Sequence, residues 1–324
     1  MKDIIIKISE KIKRLVTRLI RLFVFPIFIL SRKIVLPGFR GINLYEVGLF
    51  FINGMKKSSI SMRANAISYS FIIAFVPAVL FLFTLIPYIP IIDLDESIMK
   101  TLQEVIPNDA FILLRSTIED IITNQQTGLL SISFLISLYF AGSGVIAIMN
   151  AFNQSAHYIE SRTFIQKQLI ALLLVFILAV NMIVSGAALA LSSIILYFME
   201  GKGIISDNFT LFLLTAGQWI IILLTSLIAF SSIYYLAPAK RRIFPFFSPG
   251  SILASFLSVV SFKLFTIFIE NFTNYNKFYG SLGAMIMTIV WIDITALMIL
   301  IGFELNASIY MAKQNKMNGH GLSG

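Results

Sequence analysis

The sequence predicts an all-α protein that forms a polytopic transmembrane bundle of six helices. Two features of its composition predict this fold class. Hydrophobic residues make up 58% of the 324 residues, and charged residues make up only 13%, against about 25% in typical soluble domains. The mean hydropathy is also high, at +0.89. A soluble chain this apolar would have too little polar surface to cover its core, so we expect it to lie in lipid.

Six segments are apolar and long enough to cross a bilayer, because a spanning helix needs about 20 residues. They are residues 67–90, 128–150, 168–198, 209–237, 249–270 and 280–308. The third and the sixth segments exceed the required length, so we expect them to tilt or to extend past the lipid. These segments predict a six-helix transmembrane domain over residues 41–310, followed by a flexible cytoplasmic tail over 311–324.

The orientation of the bundle follows from the distribution of Lys and Arg. Residues 1–66, the connections 151–167 and 238–248, and the tail carry 20 of these residues, whereas the alternate connections carry 4. Basic connections stay on the cytoplasmic side of a membrane. We therefore expect a multi-pass protein of the bacterial cytoplasmic membrane with both termini in the cytoplasm.

The N-terminal region, residues 1–40, is predicted to be basic and interfacial. Within its first 23 residues, basic and isoleucine or leucine side chains recur at spacings of three and four, which indicates an amphipathic helix. Such a helix lies flat on an anionic inner leaflet, so membrane lipids are the expected partners. An RNA-binding arm is the alternative, but it would leave the apolar face without a partner, so no nucleic acid is expected. Residues 22–37 are interpreted as interfacial or re-entrant, with a seventh span as the alternative.

The connection 91–126 contains seven acidic and two basic residues. Its apolar residues repeat every three or four positions on either side of Pro107-Asn108. This pattern predicts two short amphipathic helices that pack across the outer ends of the spans. Its acidic residues are interpreted as a solvated outer face or, alternatively, as a vestibule that attracts cations.

Ionisable and amide side chains within the spans are the candidate functional residues. A charged group at membrane depth is costly, so it is expected to face the bundle interior or a cavity. Lys263 and Asp293 lie at similar depths in consecutive spans and are hypothesised to form a salt bridge, and Glu304 near the cytoplasmic end is hypothesised to meet Arg63. Asn181 and Gln218 are expected to form interhelical hydrogen bonds. Each group could instead serve a substrate, a proton or a gate.

No metal, cofactor or catalytic site is predicted. The sequence has no cysteine and only two histidines, and no cluster of His, Asp and Glu has the spacing of metal ligands. No phosphate-binding Gly-rich loop or nucleophile elbow is present. These observations predict that the protein is not an enzyme.

The first span, RANAISYSFIIAFVPAVLFLFTLIP, and the last, YGSLGAMIMTIVWIDITALMILIGFELNASI, resemble those of the YihY/BrkB family, formerly named ribonuclease BN. The motif residues that carry this resemblance are Tyr69, Pro77, Tyr279, Gly280, Gly283, Glu304 and Asn306. One departure is Asp293, where relatives tend to carry an uncharged residue. The resemblance implies an all-helical, six-span protein of the bacterial inner membrane, but no settled activity.

The composition and the intramembrane polar groups favour a transporter or a lipid-handling protein that moves a small or amphipathic substrate. A structural or assembly factor of the cell envelope is the alternative. A ribonuclease, as in the old family name, is the second alternative and is disfavoured because acid and base candidates on the cytoplasmic side are few. The sequence leaves a homo-oligomer open.

Overall fold

A computed structural model describes residues 31–57, 59–88, 96, 98–100, 103, 108–155, 160–201, 208–239, 244–271, 281–317 and 319. Within these ranges the chain is mostly helical and contains no strand. Six helices are long and apolar enough to cross a membrane, which confirms the predicted all-α, six-span fold class. The described residues form two compact units, one of residues 31–57 with 304–319 and one within residues 59–303.

The helices are named here in chain order. They are α1 (Leu44–Lys57), α2 (Ile60–Leu85, followed by a 3-10 turn at Ile86–Tyr88), α3 (Asn108–Thr123), α4 (Thr127–Ser155), α5 (Phe164–Gly201), α6 (Asn208–Leu236), α7 (Pro249–Asn271) and α8 (Ser281–Met317). The six spans are α2 and α4 to α8.

The first span begins seven residues before the predicted start at residue 67. The sequence analysis placed Arg63 at the start of this span. In the structure Arg63 is buried, and its Nη1 donates to the Ala151 carbonyl at 2.9 Å. This bond pairs one guanidinium nitrogen with a carbonyl in the C-terminal part of α4, which lowers the cost of burying the charge.

The last helix continues to Met317, so residues 311–317 are helical, where the sequence suggested a flexible tail. Ile309 and Ala312 of this helix are buried in a cluster with Phe39, Ile42 and Val47. The end of α8 is therefore held by side-chain packing within the unit formed by residues 31–57 and 304–319. Local hydropathy could not show this packing, since the contacting residues are far apart in the sequence.

Helix α1 was not predicted from the sequence. Asn43 caps it, because the Glu46 N–H donates to the Asn43 Oδ1 at 2.8 Å and the Asn43 Nδ2 donates to the Glu46 Oε1 at 3.1 Å. This reciprocal pair is a form of capping box, which stabilises the first turn. The Asn-x-x-Glu spacing was the sequence signal that could have revealed the helix.

Helix α3 confirms the second amphipathic helix predicted for the connection 91–126. Its residues Ile118 and Ile122 are buried together with Ile86, at the end of the spans where α2 ends and α4 begins. The first predicted stretch in this connection lies mostly outside the described residues. So do the predicted N-terminal amphipathic helix and most of residues 22–37.

In the unit within residues 59–303, consecutive spans are neighbours. Helix α2 packs on α4, α4 on α5, α5 on α6 and α6 on α7. The part of α8 up to Phe303 contacts at least four of these helices. The contacts are Ser68–Asp293 to α2, Phe152–Phe303 to α4, Tyr234–Ile299 to α6 and Ser261–Met298 to α7.

Candidate functional site

Asp293 is an acidic group within the last span, and its partner is a neutral hydroxyl. The Ser68 hydroxyl of α2 donates to the Asp293 Oδ1 at 3.0 Å, and the same hydroxyl lies 2.9 Å from the Ala64 carbonyl. Ser68 is buried, whereas Asp293 is half-buried. A carboxyl group thus lies within a helix that is long and apolar enough to span a membrane, held to α2 by a single side-chain hydrogen bond.

Lys263 does not form the hypothesised salt bridge with Asp293. Both residues lie in the described part of the chain, and within that part Lys263 has no ion-pair partner. Ser261 and Phe265, which lie two positions before and after Lys263, both contact α8. On a helix, side chains two positions apart point about 160° away from each other. Lys263 is therefore exposed on the opposite side of α7, and similar depth did not bring the two charges together.

Glu304 is completely buried in the unit of residues 31–57 and 304–319. Its carboxylate lies against Gly54 of α1, where a Cβ atom would collide with it. Asn306 is also buried. The hypothesised contact of Glu304 with Arg63 stays a prediction.

Asn181 and Gln218 are half-buried amides in α5 and α6. Within the described residues, neither side chain forms a hydrogen bond; the Ser185 hydroxyl bonds only to the backbone carbonyl of Asn181. The interhelical hydrogen bonds expected from the sequence are thus not present in this arrangement. Their amide groups remain candidates for contact with a substrate.

A polar network that the sequence analysis missed joins three segments at the end of the spans where α4 and α6 terminate. We define this polar network as Asn153, Glu160 and Arg162 with the backbone of Ala237 and Ala239. Asn153 Nδ2 donates to Glu160 Oε2 at 2.8 Å, and its Oδ1 accepts from the Ala239 N–H at 3.0 Å. Arg162 donates twice to the Glu160 carboxylate, each time at 2.7 Å, and once to the Ala237 carbonyl at 3.1 Å.

The electrostatics of this network are set by the bidentate pair of Arg162 and Glu160. The side-chain hydrogen bonds from Arg162 lower the pKa of Glu160 from 4.5 to about 2, although partial burial opposes the shift. The Arg162 side chain is only 8% exposed. Hydrogen bonds to a carboxylate favour its charged form, so Glu160 is an anion in the network. The sequence signal was an acidic and a basic residue two positions apart in a short connection.

Aromatic rings pack beside the polar network. The Phe152 and Phe303 rings stack with centroids 3.8 Å apart and planes inclined by 4°. Tyr234 packs edge-on against Phe152, and its hydroxyl donates to the Ile299 carbonyl at 2.8 Å. Gly302 lies where a Cβ atom would come within 2.6 Å of the Gly250 carbonyl oxygen. This glycine permits the close approach of α7 and α8.

The residues behind the resemblance have different environments. Tyr69 is 66% exposed, whereas Gly283 is buried. The Pro77 carbonyl accepts a hydrogen bond from the Ser137 hydroxyl at 2.9 Å, which ties α2 to α4. Tyr279 and Gly280 lie outside the described residues. The motif therefore includes packing positions and one exposed aromatic position, rather than a single cluster.

An open apolar cleft of about 420 Å³ lies between α7 and α8. We call this feature the cleft. It is lined by Ser261, Leu264, Phe265, Phe268, Val290, Ile294 and Met298. Neither Lys263 nor Asp293 lines it, although Asp293 precedes Ile294 in α8. The volume lies in the range of small-molecule pockets, about 300–1,000 Å³, so the cleft can accept an apolar group.

No cluster of three or more metal-binding side chains (His, Cys, Asp or Glu) occurs in the described ranges.

Comparisons with known proteins agree with this architecture. The model of the family described as "Virulence factor BrkB" matches residues 51–321. A Bacillus subtilis protein, YfkH, whose name describes it as ribonuclease-like, is 28% identical over 78% of this chain and 90% of its own length. A UPF0761 membrane protein of Psychromonas ingrahamii is 25% identical over 86% of this chain and 92% of its own length. No solved structure matches the chain.

The family match covers most of the chain, including all six spans, and its relatives include proteins named as membrane proteins. With its all-helical fold, its six apolar helices and this match, the chain belongs to the BrkB family of membrane proteins.

Proposed function

We propose that this protein moves an amphipathic, lipid-like substrate across the membrane. The observation that carries the proposal is Asp293. An ionisable group inside a span costs at least ~2.5–3.5 kcal/mol at the bilayer centre, so such groups mark substrate or ion pathways by default. A salt bridge with Lys263 would have given Asp293 a structural role, but its partner is the Ser68 hydroxyl.

The position of Asp293 in α8 supports an amphipathic substrate over a purely polar one. The neighbouring residues Val290 and Ile294 face the cleft, whereas Asp293 faces α2. One helix thus presents a polar group on one side and an apolar cleft on the adjacent side. A substrate with a polar head and an apolar tail has both chemistries.

Purified full-length protein in liposomes tests the proposal. We expect fluorescent phospholipids to exchange between leaflets faster than in protein-free liposomes. We expect Asp293→Asn to slow the exchange by about tenfold, because it removes the charge that would interact with the polar head of the substrate, and a factor of ten corresponds to about 1.4 kcal/mol. Ion and solute flux are measured in the same vesicles. Ser70→Ala is the matched control, because the exposed Ser70 hydroxyl bonds only within its own helix, to Ala66.

Three results would separate the alternatives. Lipid exchange that depends on Asp293 supports the proposal. Solute or ion flux without lipid exchange would favour a transporter of small polar substrates. An absence of any movement in vesicles that contain folded protein would contradict transport and would favour the structural role in the cell envelope.

A further inference from the structure

We infer that the cleft between α7 and α8 binds one acyl chain of a membrane lipid, with the chain lying along the two helices. This inference deepens the proposed function and rests on it, because it names the part of the substrate that the protein holds. It concerns binding, so it can be tested separately from transport.

The shape of the cleft fits a linear chain. Its α7 residues extend from Ser261 to Phe268, about 10 Å along the helix axis at 1.5 Å per residue, and its α8 residues extend from Met298 to Val290, about 12 Å. Because Ser261 contacts Met298 and the later residue Phe265 contacts the earlier residue Trp291, the two rows run side by side in opposite directions. The cleft is therefore elongated along the helices, which is also the direction of acyl chains in a bilayer.

The chemistry of the lining excludes a lipid headgroup. Six of the seven lining residues are apolar, and none is charged. The Ser261 hydroxyl, the polar exception, lies 3.7 Å from the Met298 sulfur, to which it donates. A phosphate or an amine in the cleft would lose its hydration without a charged partner, which is costly. An alkyl chain carries no such cost.

The wall of the cleft is fixed by aromatic packing. The Trp291 ring lies 5.0 Å from the Phe265 ring and 5.7 Å from the Phe262 ring. These three rings join α7 to α8 next to the lining residues. Aromatic pairs at such distances add about 0.5–1.5 kcal/mol beyond the area that they bury. The contacts hold the helices at the separation that leaves the cleft open.

The cleft is accessible from the lipid that surrounds the spans. Only 11% of the most apolar stretch of α7 is buried within the protein, the smallest share among the six spans. Leu264 is 62% exposed and Val290 is 42% exposed. Because these side chains belong both to the cleft and to the apolar exterior of a spanning helix, a lipid in the surrounding leaflet can insert its chain from the side.

The inference is tested by photocrosslinking of the full-length protein in phospholipid vesicles that contain a trace of a phosphatidylcholine with a diazirine in its acyl chain. Peptide mapping by mass spectrometry should place most adducts on the α7 and α8 residues of the cleft. Val290→Trp and Leu264→Trp each put a large ring into the cleft from a partly exposed position, and each should lower these adducts by about tenfold. Ile183→Trp is the matched control, because Ile183 is 68% exposed on α5.

The control should leave the cleft adducts unchanged, and an unchanged melting temperature should show that each variant is folded. Adducts spread evenly over the exposed spans, or adducts that persist in both filled variants, would overturn the inference. Specific adducts without lipid exchange would contradict the proposed function alone, and exchange without them would contradict this inference alone.

Discussion

The two ends of the six-span unit differ in how its helices are held together. At the polar network, hydrogen bonds from Asn153 and Arg162 and the stacked rings of Phe152 and Phe303 join α4, α6 and α8. In the second half of α7 and around residues 290–298 of α8, ring contacts also join the two helices, but an open cleft lies beside them. The difference shows that directional bonds and close ring contacts fix one end, while the other retains space that lipid can enter.

The largest expected effect comes from disrupting the close packing at Gly302, near the polar network. We call this end of the six-span unit the tight end. In Gly302→Ala, the added Cβ would lie within 2.6 Å of the Gly250 carbonyl oxygen and 2.7 Å of the Ala254 Cβ, and it would collide with the Tyr234 hydroxyl. Since backbone atoms cannot move aside easily, we expect a loss of about 1–3 kcal/mol in stability. Thermal melting in detergent measures it.

The control for this substitution is Gly217→Ala. Gly217 also lies inside a spanning helix, but a Cβ there meets no atom within 4 Å. Because alanine favours helices over glycine, this variant should melt at the same temperature as wild type or slightly higher. Equal melting temperatures for both glycine variants would show that the tight end is not closely packed in the membrane protein as purified.

A smaller effect is expected from the ion pair in the polar network, and it depends on pH. The folded state holds the pKa of Glu160 at about 2, below its ordinary value of 4.5. The stabilisation from this carboxylate is therefore complete above about pH 4.5 and is lost as the pH falls through about 2. Between about pH 6 and about pH 3, wild-type protein should lose stability on the order of 1–2 kcal/mol more than Glu160→Gln.

The matched control is Glu119→Gln, which removes a carboxylate from the pair of Arg115 and Glu119 on the surface of α3. In that pair the atoms are 3.8 Å apart and both side chains are more than half exposed. An exposed pair contributes little to stability, so this variant should follow the wild-type pH profile. A Glu160→Gln profile that also follows wild type would contradict a stabilising role for the network.

The smallest effect on stability is expected at the intramembrane charges. Asp293→Asn keeps a side-chain oxygen for the Ser68 hydroxyl, and it leaves no lysine unpaired because Lys263 lies on the other side of α7. We therefore expect both Asp293→Asn and Lys263→Met to change the stability by less than about 1 kcal/mol. A loss of about 3 kcal/mol or more of stability in either variant would contradict this arrangement and support the buried salt bridge between Lys263 and Asp293.

Asp293 shows why the sequence predicted the spans better than the site. It was assigned a charged partner, Lys263, from its depth, which follows from the rise of 1.5 Å per residue. Depth does not determine the direction of a side chain around its helix or the atoms that meet it. In the structure Asp293 accepts from the Ser68 hydroxyl, which is a neutral group on another helix.

The helix ends show a similar limit. The prediction for α8 stopped where its hydropathy fell, but Ile309 and Ala312 pack against residues near position 40, so the helix continues. Helix α1 was missed although Asn43 and Glu46 carry a capping signal, because a helix of 14 residues that does not span is not conspicuous in a hydropathy profile. Contacts between distant segments, rather than local composition, set these boundaries.

The sequence by itself determined that this is an all-helical protein with six membrane spans, because a long apolar helix satisfies its backbone within one segment and needs no information from elsewhere. Only the tertiary structure decided which polar groups meet, where the spans close on Gly302 and where α7 and α8 leave a cleft. Those features depend on the rotation and separation of neighbouring helices, which are set by side chains far apart in the chain.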